Sequence, residues 1–434
     1  MKHFIFLALT TLICSYRSIT DPFWGVALYY LWSVLRPQFV WDWALQDYPE
    51  MRWSLIAALV TMVATVVRFG HLDQPKVNKN FVPLLLAFGM CILGSYLTAR
   101  NAEVAAEPGR EYAKILVMMM LAALLITHAK HLRVLAFVIF GSLIYIIYTI
   151  NFMYVFEGRL QVLTTGFCGL DNNGAALMMA MVIPFCYYLF QAEHRWWRWG
   201  FLICLLPAAH AVMLTYSRGA MLSSILACAG MVIMQKKHRW KTIGMALVMG
   251  FLMLSMAGES VRERFLSIKE RDHDESAQSR FGSWAAGMRI AFDNPAFGVG
   301  LRNSNGIIYM YGADMEGRTV HNLLIQMAAD SGLPCVTIYL LLYFSAMIWA
   351  WKGATLVRNH TTSEQRWHHN ISLACFWSLG LFLVGSFFLS METFEPPYLL
   401  IVMAATSQKL AEGMTDATPE AEILEAIPEA EAAS

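Results

Sequence analysis

A chain of 434 residues that is 57% hydrophobic and only 15% charged falls outside the range of soluble enzymes, where about a quarter of residues carry charge. The same values exclude intrinsic disorder, which requires low hydrophobicity and high net charge. A formal net charge of +1 provides no bulk field to gather nucleic acid. An all-α, polytopic membrane bundle accounts for length and composition together.

In hydrocarbon a helix satisfies its own backbone, and about 20 apolar residues are needed to cross. Apolar runs at 4–19, 22–36, 52–69, 81–98, 113–128 and 134–153 make residues 1–150 a block of N-terminal membrane helices. Further runs at 174–191, 199–215, 219–235, 241–257, 321–351, 371–390 and 396–410 make residues 151–410 a membrane core, for about 12–13 spans in all. The first run follows Lys2 and His3 without a small-x-small cleavage site, so it reads as an uncleaved first segment. The first two runs are short. As separate helices they put the N-terminus outside, and as one broken helix they put it inside. The eight cysteines lie singly, almost all in apolar runs, with no metal-like spacing, and read as small apolar residues.

Lys and Arg in short loops mark the cytoplasmic side. The connectors holding Arg68, Lys76 and Lys79, then Lys130 and Arg133, Arg195 and Arg198, Lys236 to Lys241, and Lys352, Arg358 and Arg366 all fall inside by this measure. Loops 99–112, 154–173, the Tyr216-Ser217-Arg218 turn, 258–320 and 391–395 are therefore expected outside, with Trp41, Trp43, Tyr48 and Trp53 in an outer aromatic belt. Residues 411–434 carry seven acids and no Lys or Arg, and read as a solvated, disordered cytoplasmic tail.

Loop 258–320 stands apart, with eight bases and nine acids, nearly twice the 15% charge density of the chain. A long loop without a transmembrane role marks a lid, binding loop or small domain. Within it Phe281, Trp284, Met288 and Phe292 recur at helical spacing and predict an amphipathic helix lying on the membrane. Asp293-Asn294-Pro295 ends it, and Gly298-Val299-Gly300 forms a turn where backbone could approach a ligand closely.

Arg218, at the junction of two apolar runs, offers a planar fork matched to phosphate oxygens, although an arginine there can also simply snorkel. Arg280 on the interfacial helix could supply a second clamp. His321-Asn322 opens the next apolar run, and the positive end of that helix would hold the imidazole neutral and able to accept a proton. Arg159, Asn173, Arg302 and Asn322 are the candidate substrate contacts. Asp171-Asn172-Asn173-Gly174 is equally a helix cap, and Glu392 and Glu395 either bind sugar hydroxyls or cap. Ser217 lacks a GxSxG elbow and reads poorly as a nucleophile. No HExxH, DxD or Walker loop occurs, so no metal, nucleotide or other cofactor is expected, and an activated donor would come from the membrane.

Thr215-Tyr216-Ser217-Arg218-Gly219-Ala220, then Arg280 and Trp284 leading to Asn294-Pro295-x-Phe297-Gly298-Val299-Gly300, then His321-Asn322-x-x-x-Gln326 with Ser331-Gly332-Leu333, resemble the ordered motifs of the O-antigen ligase superfamily. The resemblance covers roughly residues 150–410, and the motifs' order around one large loop makes it specific. Pro22-Phe23-Trp24-Gly25 and Arg36-Pro37 are similar to the exosortase-associated O-glycosylation ligase branch. The resemblance implies transfer of a glycan from undecaprenyl diphosphate to an acceptor (lipid, protein or polysaccharide) at the periplasmic face of the bacterial inner membrane, without metal. Arg218 and Arg280 then match diphosphate-handling arginines, and His321 the histidine that activates or positions the acceptor. Polysaccharide polymerase shares this chemistry and differs in acceptor. A transporter or flippase would instead predict paired repeats with broken helices at the midplane.

Overall fold

A computed structural model describes residues 2–45, 51–158, 162, 165–235, 243, 275–359 and 361–431. Among these the regular structure is helical, with no β-strand. The run at 241–257, the start of the charged loop, Tyr48 and Arg159 lie outside the described residues.

Helices α1 (Lys2–Ser18), α2 (Phe23–Leu35), α3 (Trp53–Val67), α4 (Phe81–Leu97), α5 (Ala102–Leu125) and α6 (Ala129–Glu157) follow the N-terminal apolar runs. The core continues with α7 (Asn172–Ala180), α8 (Val182–Ala192), α9 (Arg198–Ile203), α10 (Leu205–Leu214) and α11 (Arg218–Met234). Then come α12 (Glu275–Asp293), α13 (Leu323–Ser331), α14 (Leu333–Leu356), α15 (Ser363–Ser386) and α16 (Glu395–Glu431).

Among the described residues four helical segments are long and apolar enough to cross a membrane: Ala129–Glu157, Asn172–Ala192, Leu333–Leu356 and Ser363–Ser386. Trp53–Val67, Phe81–Leu97, Arg198–Leu214 and Arg218–Met234 are shorter and apolar. The molecule is an all-α polytopic membrane bundle. Its interior is built where α14 packs on α15 and α16 and α8 packs on α15, around Tyr339, Tyr343 and Phe382. Val63 and Val66 on α3, Leu86 and Leu93 on α4, and Leu341, Phe344 and Ile348 on α14 are exposed. So much outward apolar surface needs a lipid cover.

Contacts between connectors show which lie together. At one end the Arg68 side chain donates to the Ile19 carbonyl (2.9 Å), Arg366 donates to the Ala192 carbonyl (2.8 Å), and Arg133 stacks over Trp367 at 3.9 Å. Three of the basic loops thus share one end. Because Ile19 meets Arg68 while His3 stacks against Trp41 and Trp43, α1 and α2 are separate antiparallel helices. That resolves the two readings of the N-terminus: residue 2 lies at the end opposite the basic loops.

The run read as one span over 321–351 is two helices. The loop after α12 inserts beside the break: Val299 N–H donates to Ala329 O and Gly300 N–H to Asp330 O, both at 3.0 Å, while Leu333 N–H donates to Pro295 O at 2.9 Å. Gly332 has φ +85°, and any side chain there would meet the Ala296 backbone. The Gly298–Gly300 turn is a correction of the same kind. Its close approach is to the α13 backbone, and a side chain at Gly298 would run into Asp330.

Helix α12 ends at Asp293 as predicted, and it carries apolar residues on two faces. Phe281, Met288 and Phe292 are exposed, whereas Ala286 and Ile290 join Val299, Ile308, Val320 and Ala329 in a small separate core. Large apolar side chains turned away from the protein suit a membrane surface, and small ones allow α13 to pack closely. Helix α16 runs on to Glu431, so the acidic segment read as a disordered tail is helical, in keeping with its Ala and Glu content.

Candidate functional site

Four chain segments meet at the end opposite the basic loops, each placed there by a local rule. The first is the start of α7. Asp171 caps it by accepting from Gly174 N–H at 2.7 Å, and the Asn172 amide donates to the Thr215 carbonyl at 3.1 Å. This joins the loop before α7 to the turn before α11. Asn173, half-buried, donates to Asn172 Oδ1 at 3.3 Å.

The second segment is that turn. Tyr216 takes a left-handed conformation (φ 55°), and Ser217 caps α11, its hydroxyl accepting from Ala220 N–H at 3.4 Å. Ser217 is buried and committed to this cap, which removes it as a nucleophile. Arg218 is the first residue of α11 and is exposed. Gly219 sits against Phe388, where a side chain would crowd the ring.

The third is the start of α13. Asn322 accepts from Leu324 and Ile325 N–H, both at 3.1 Å, and donates to the Phe387 carbonyl at 3.2 Å. Phe387 and Phe388 thereby bridge the start of α13 to the start of α11. Asn322 is buried with both amide atoms engaged in fastening the start of α13. Its cap is worth about 1 kcal/mol. His321, immediately before it, holds φ 54° and is half-buried. The Thr319 hydroxyl lies 3.0 Å from its Nε2.

The fourth is α12, which carries Arg280. Arg280 and Arg318 both act on His321 electrostatically, and Asp171 acts in the opposite sense. Burial, then the Arg280 guanidinium, hold the imidazole below its usual range; Asp171 opposes them and Arg318 adds to them. This direction favours the neutral imidazole near pH 7. Arg318 is itself fixed by an ion pair to Asp314 (3.0 Å) and a hydrogen bond to the Ser279 hydroxyl.

Beneath His321 lies a buried polar network. Gln326 accepts from Val320 N–H (3.0 Å) and donates to Ser304 Oγ (2.7 Å), Asn305 Oδ1 (3.1 Å) and Asp330 Oδ2 (2.8 Å). Asp330 also accepts from Ser304 N–H at 3.0 Å. Asn303 accepts from Asn101 N–H at 2.7 Å, tying this network to the start of α5. Arg302 is exposed on that loop with φ 55°.

The family comparison bears directly on these segments. Residues 202–340 match the O-antigen ligase family. The chain is similar to this family over that stretch, about a third of its length. The matched stretch contains Arg218, Arg280, Arg302, His321 and Asn322, and stops before Glu392. With its apolar helices, this stretch is that of an O-antigen ligase-type membrane protein. No curated protein matches the chain.

Of the residues singled out from sequence, the structure brings Arg280, His321 and Asp171 together, and links Asn173, Arg218 and Asn322 to them through backbone bridges. Arg302 stands to one side. Sequence reasoning did not single out Arg318 or Asp330. Arg318 lies three residues before His321 and could have been found from that spacing. Asp330, a lone carboxylate inside an apolar run, was a signal in itself.

Proposed function

We propose that this enzyme transfers a glycan from an undecaprenyl-diphosphate-linked donor to a hydroxyl acceptor at the periplasmic face of the inner membrane, without metal. One observation carries the reading: a half-buried histidine kept neutral between two arginines, beside a helix that presents apolar side chains outward. A neutral base and fixed cations are what displacement of a diphosphate requires.

In this mechanism His321 takes the proton of the acceptor hydroxyl. Thr319 engages Nε2, which leaves Nδ1 for the acceptor. The acceptor oxygen bonds to the anomeric carbon, the bond from that carbon to the diphosphate oxygen breaks, and its electron pair stays on the diphosphate. Arg218 and Arg280 stabilise that charge, which is larger in the transition state than in the ground state. Attack opposite the leaving group inverts the anomeric centre. Arg159, Asn173 and Arg302 contact the donor or glycan, and Asn322 positions His321. The exposed apolar residues of α12 seat the helix where a polyprenyl diphosphate meets water.

The test is transfer by purified protein in liposomes, with lipid-linked glycan and separate lipid, protein and polysaccharide acceptors. Product with one added acceptor defines a ligase. Chain growth on the donor alone defines a polymerase. Unaltered transfer by Arg218→Ala, Arg280→Ala and His321→Ala, each correctly folded, contradicts the mechanism.

A further inference from the structure

Outside the four segments described above, a narrow cleft opens between α5, the Gly300–Ser304 loop, α13 and the turn before α16. It is lined by Tyr112, Arg302, Asp330, Ser331, Glu392 and Thr393, among others. Glu392 lies on its floor and is 6% exposed, and its Oε2 has no hydrogen-bond partner among the described residues. The backbone around it is fixed, since Tyr398 donates its hydroxyl to the Glu392 carbonyl at 2.6 Å. Leaving a buried carboxyl oxygen unmatched costs stability. Glu395, three residues on, also has a buried Oε2 without a hydrogen-bond partner among the described residues, but its Oε1 pairs with Lys114 at 2.9 Å and it does not line the cleft.

The surroundings select the ligand's chemistry. Arg302, exposed at the rim, opposes a cation. Asp330 opposes an anion on the floor. Burial pushes the Glu392 carboxyl up to about 7, the nearby Arg302 opposing and Asp330 adding to the rise. A carboxyl that both accepts and donates suits a hydroxyl, which does the same. The cavity volume is about 10 Å3, room for roughly one water-sized group and far below the ~300–1,000 Å3 of pockets that take whole ligands. It admits a single hydroxyl, with the rest of a sugar left outside beside the exposed Arg302.

We propose that this cleft is a hydroxyl-binding subsite for the sugar part of the donor, with the unmatched Glu392 oxygen receiving a sugar hydroxyl. This rests on the glycan-transfer reading and adds a residue that recognises sugar and not diphosphate.

The experiment measures binding of two probes to the full chain in detergent: undecaprenyl diphosphate bearing an oligosaccharide, and bare undecaprenyl diphosphate. The wild type should bind the first more tightly. Glu392→Leu, which removes an unmatched buried oxygen at similar volume, should fold with an unchanged or higher melting temperature. It should lose about ten-fold in affinity for the sugar-bearing probe and none for the bare one. Glu392→Gln, which keeps an acceptor, should lose less. Equal loss on both probes, loss on neither, no wild-type preference for sugar, or a Leu variant that fails to fold overturns the proposal. Arg218→Ala separates the underlying reading, because it should weaken both probes. If it weakens neither, the glycan-transfer mechanism fails whatever Glu392 does.

Discussion

The two ends of this bundle use charge in opposite ways. At the basic end guanidinium groups hold helices together: Arg133 lies over Trp367, Arg366 bonds a helix-terminal carbonyl, Arg198 stacks on Phe190 and Trp199, and Arg68 ties the α1–α2 turn to α3. At the other end amides do much of the fastening, beside ion pairs such as Lys114–Glu395 and Arg318–Asp314. Asn101 and Asn303 join α5 to the loop before α13, Asn322 joins α13 to the α15–α16 turn, and Gln326 and Asp330 knit the loop to the helix. A framework of amides lets arginines gather around one histidine. Charge at the basic end is mostly architecture; at the other, in the mechanism proposed above, some of it serves chemistry.

This contrast has ordered consequences. The largest effect should come from His321→Ala and Arg280→Ala, each lowering transfer about 100-fold or more while leaving the melting temperature of the detergent-solubilised protein within experimental scatter. A comparable fall in melting temperature would mean that these charges are architectural too. Next, Asp330→Ala strands the Gln326 amide and the Ser304 N–H in the interior, and should destabilise by about 3 kcal/mol; Asp330→Asn should recover part of that. Thermal unfolding with and without donor measures both. At the basic end Arg133→Ala should cost about 1 kcal/mol and leave transfer per folded molecule unchanged. The smallest effect is a shift in pH. The working imidazole is neutral and its titration lies below the usual 6.5, so transfer should hold steady down to that pH and fall only below it. Arg318→Gln removes one of the charges depressing it, so the acid limb should move upward.

Most of the bundle was legible because membrane helices announce themselves by uninterrupted apolar length, and the basic loops marked one end correctly wherever contacts show it. What stayed hidden depended on partners distant in sequence. The split between α13 and α14 arises because residues 295–300 dock against carbonyls 328–330, and only Ser331-Gly332 hinted at it. Gly298-Val299-Gly300 announced a close backbone approach but not its object. Arg218 and His321 were singled out because charged or titratable residues at the edge of apolar runs are costly and few, and Arg280 because it sits on the interfacial helix. Asn322 carried the same spacing signal, and the sequence did not show that its side chain would be buried in a cap. Glu392 could not be told from a helix cap until its burial and unmatched oxygen were seen.

The central claim is that a neutral His321 accepts a proton while arginines hold the departing diphosphate. Single-turnover transfer in proteoliposomes, followed from pH 5 to 8 for the wild type and for His321→Ala, tests it most directly. The mechanism predicts a wild-type rate that falls as pH drops below about 6.5, and a variant that is slower throughout and lacks this limb. An acid limb that persists unchanged in His321→Ala, or a variant as fast as wild type, would contradict it.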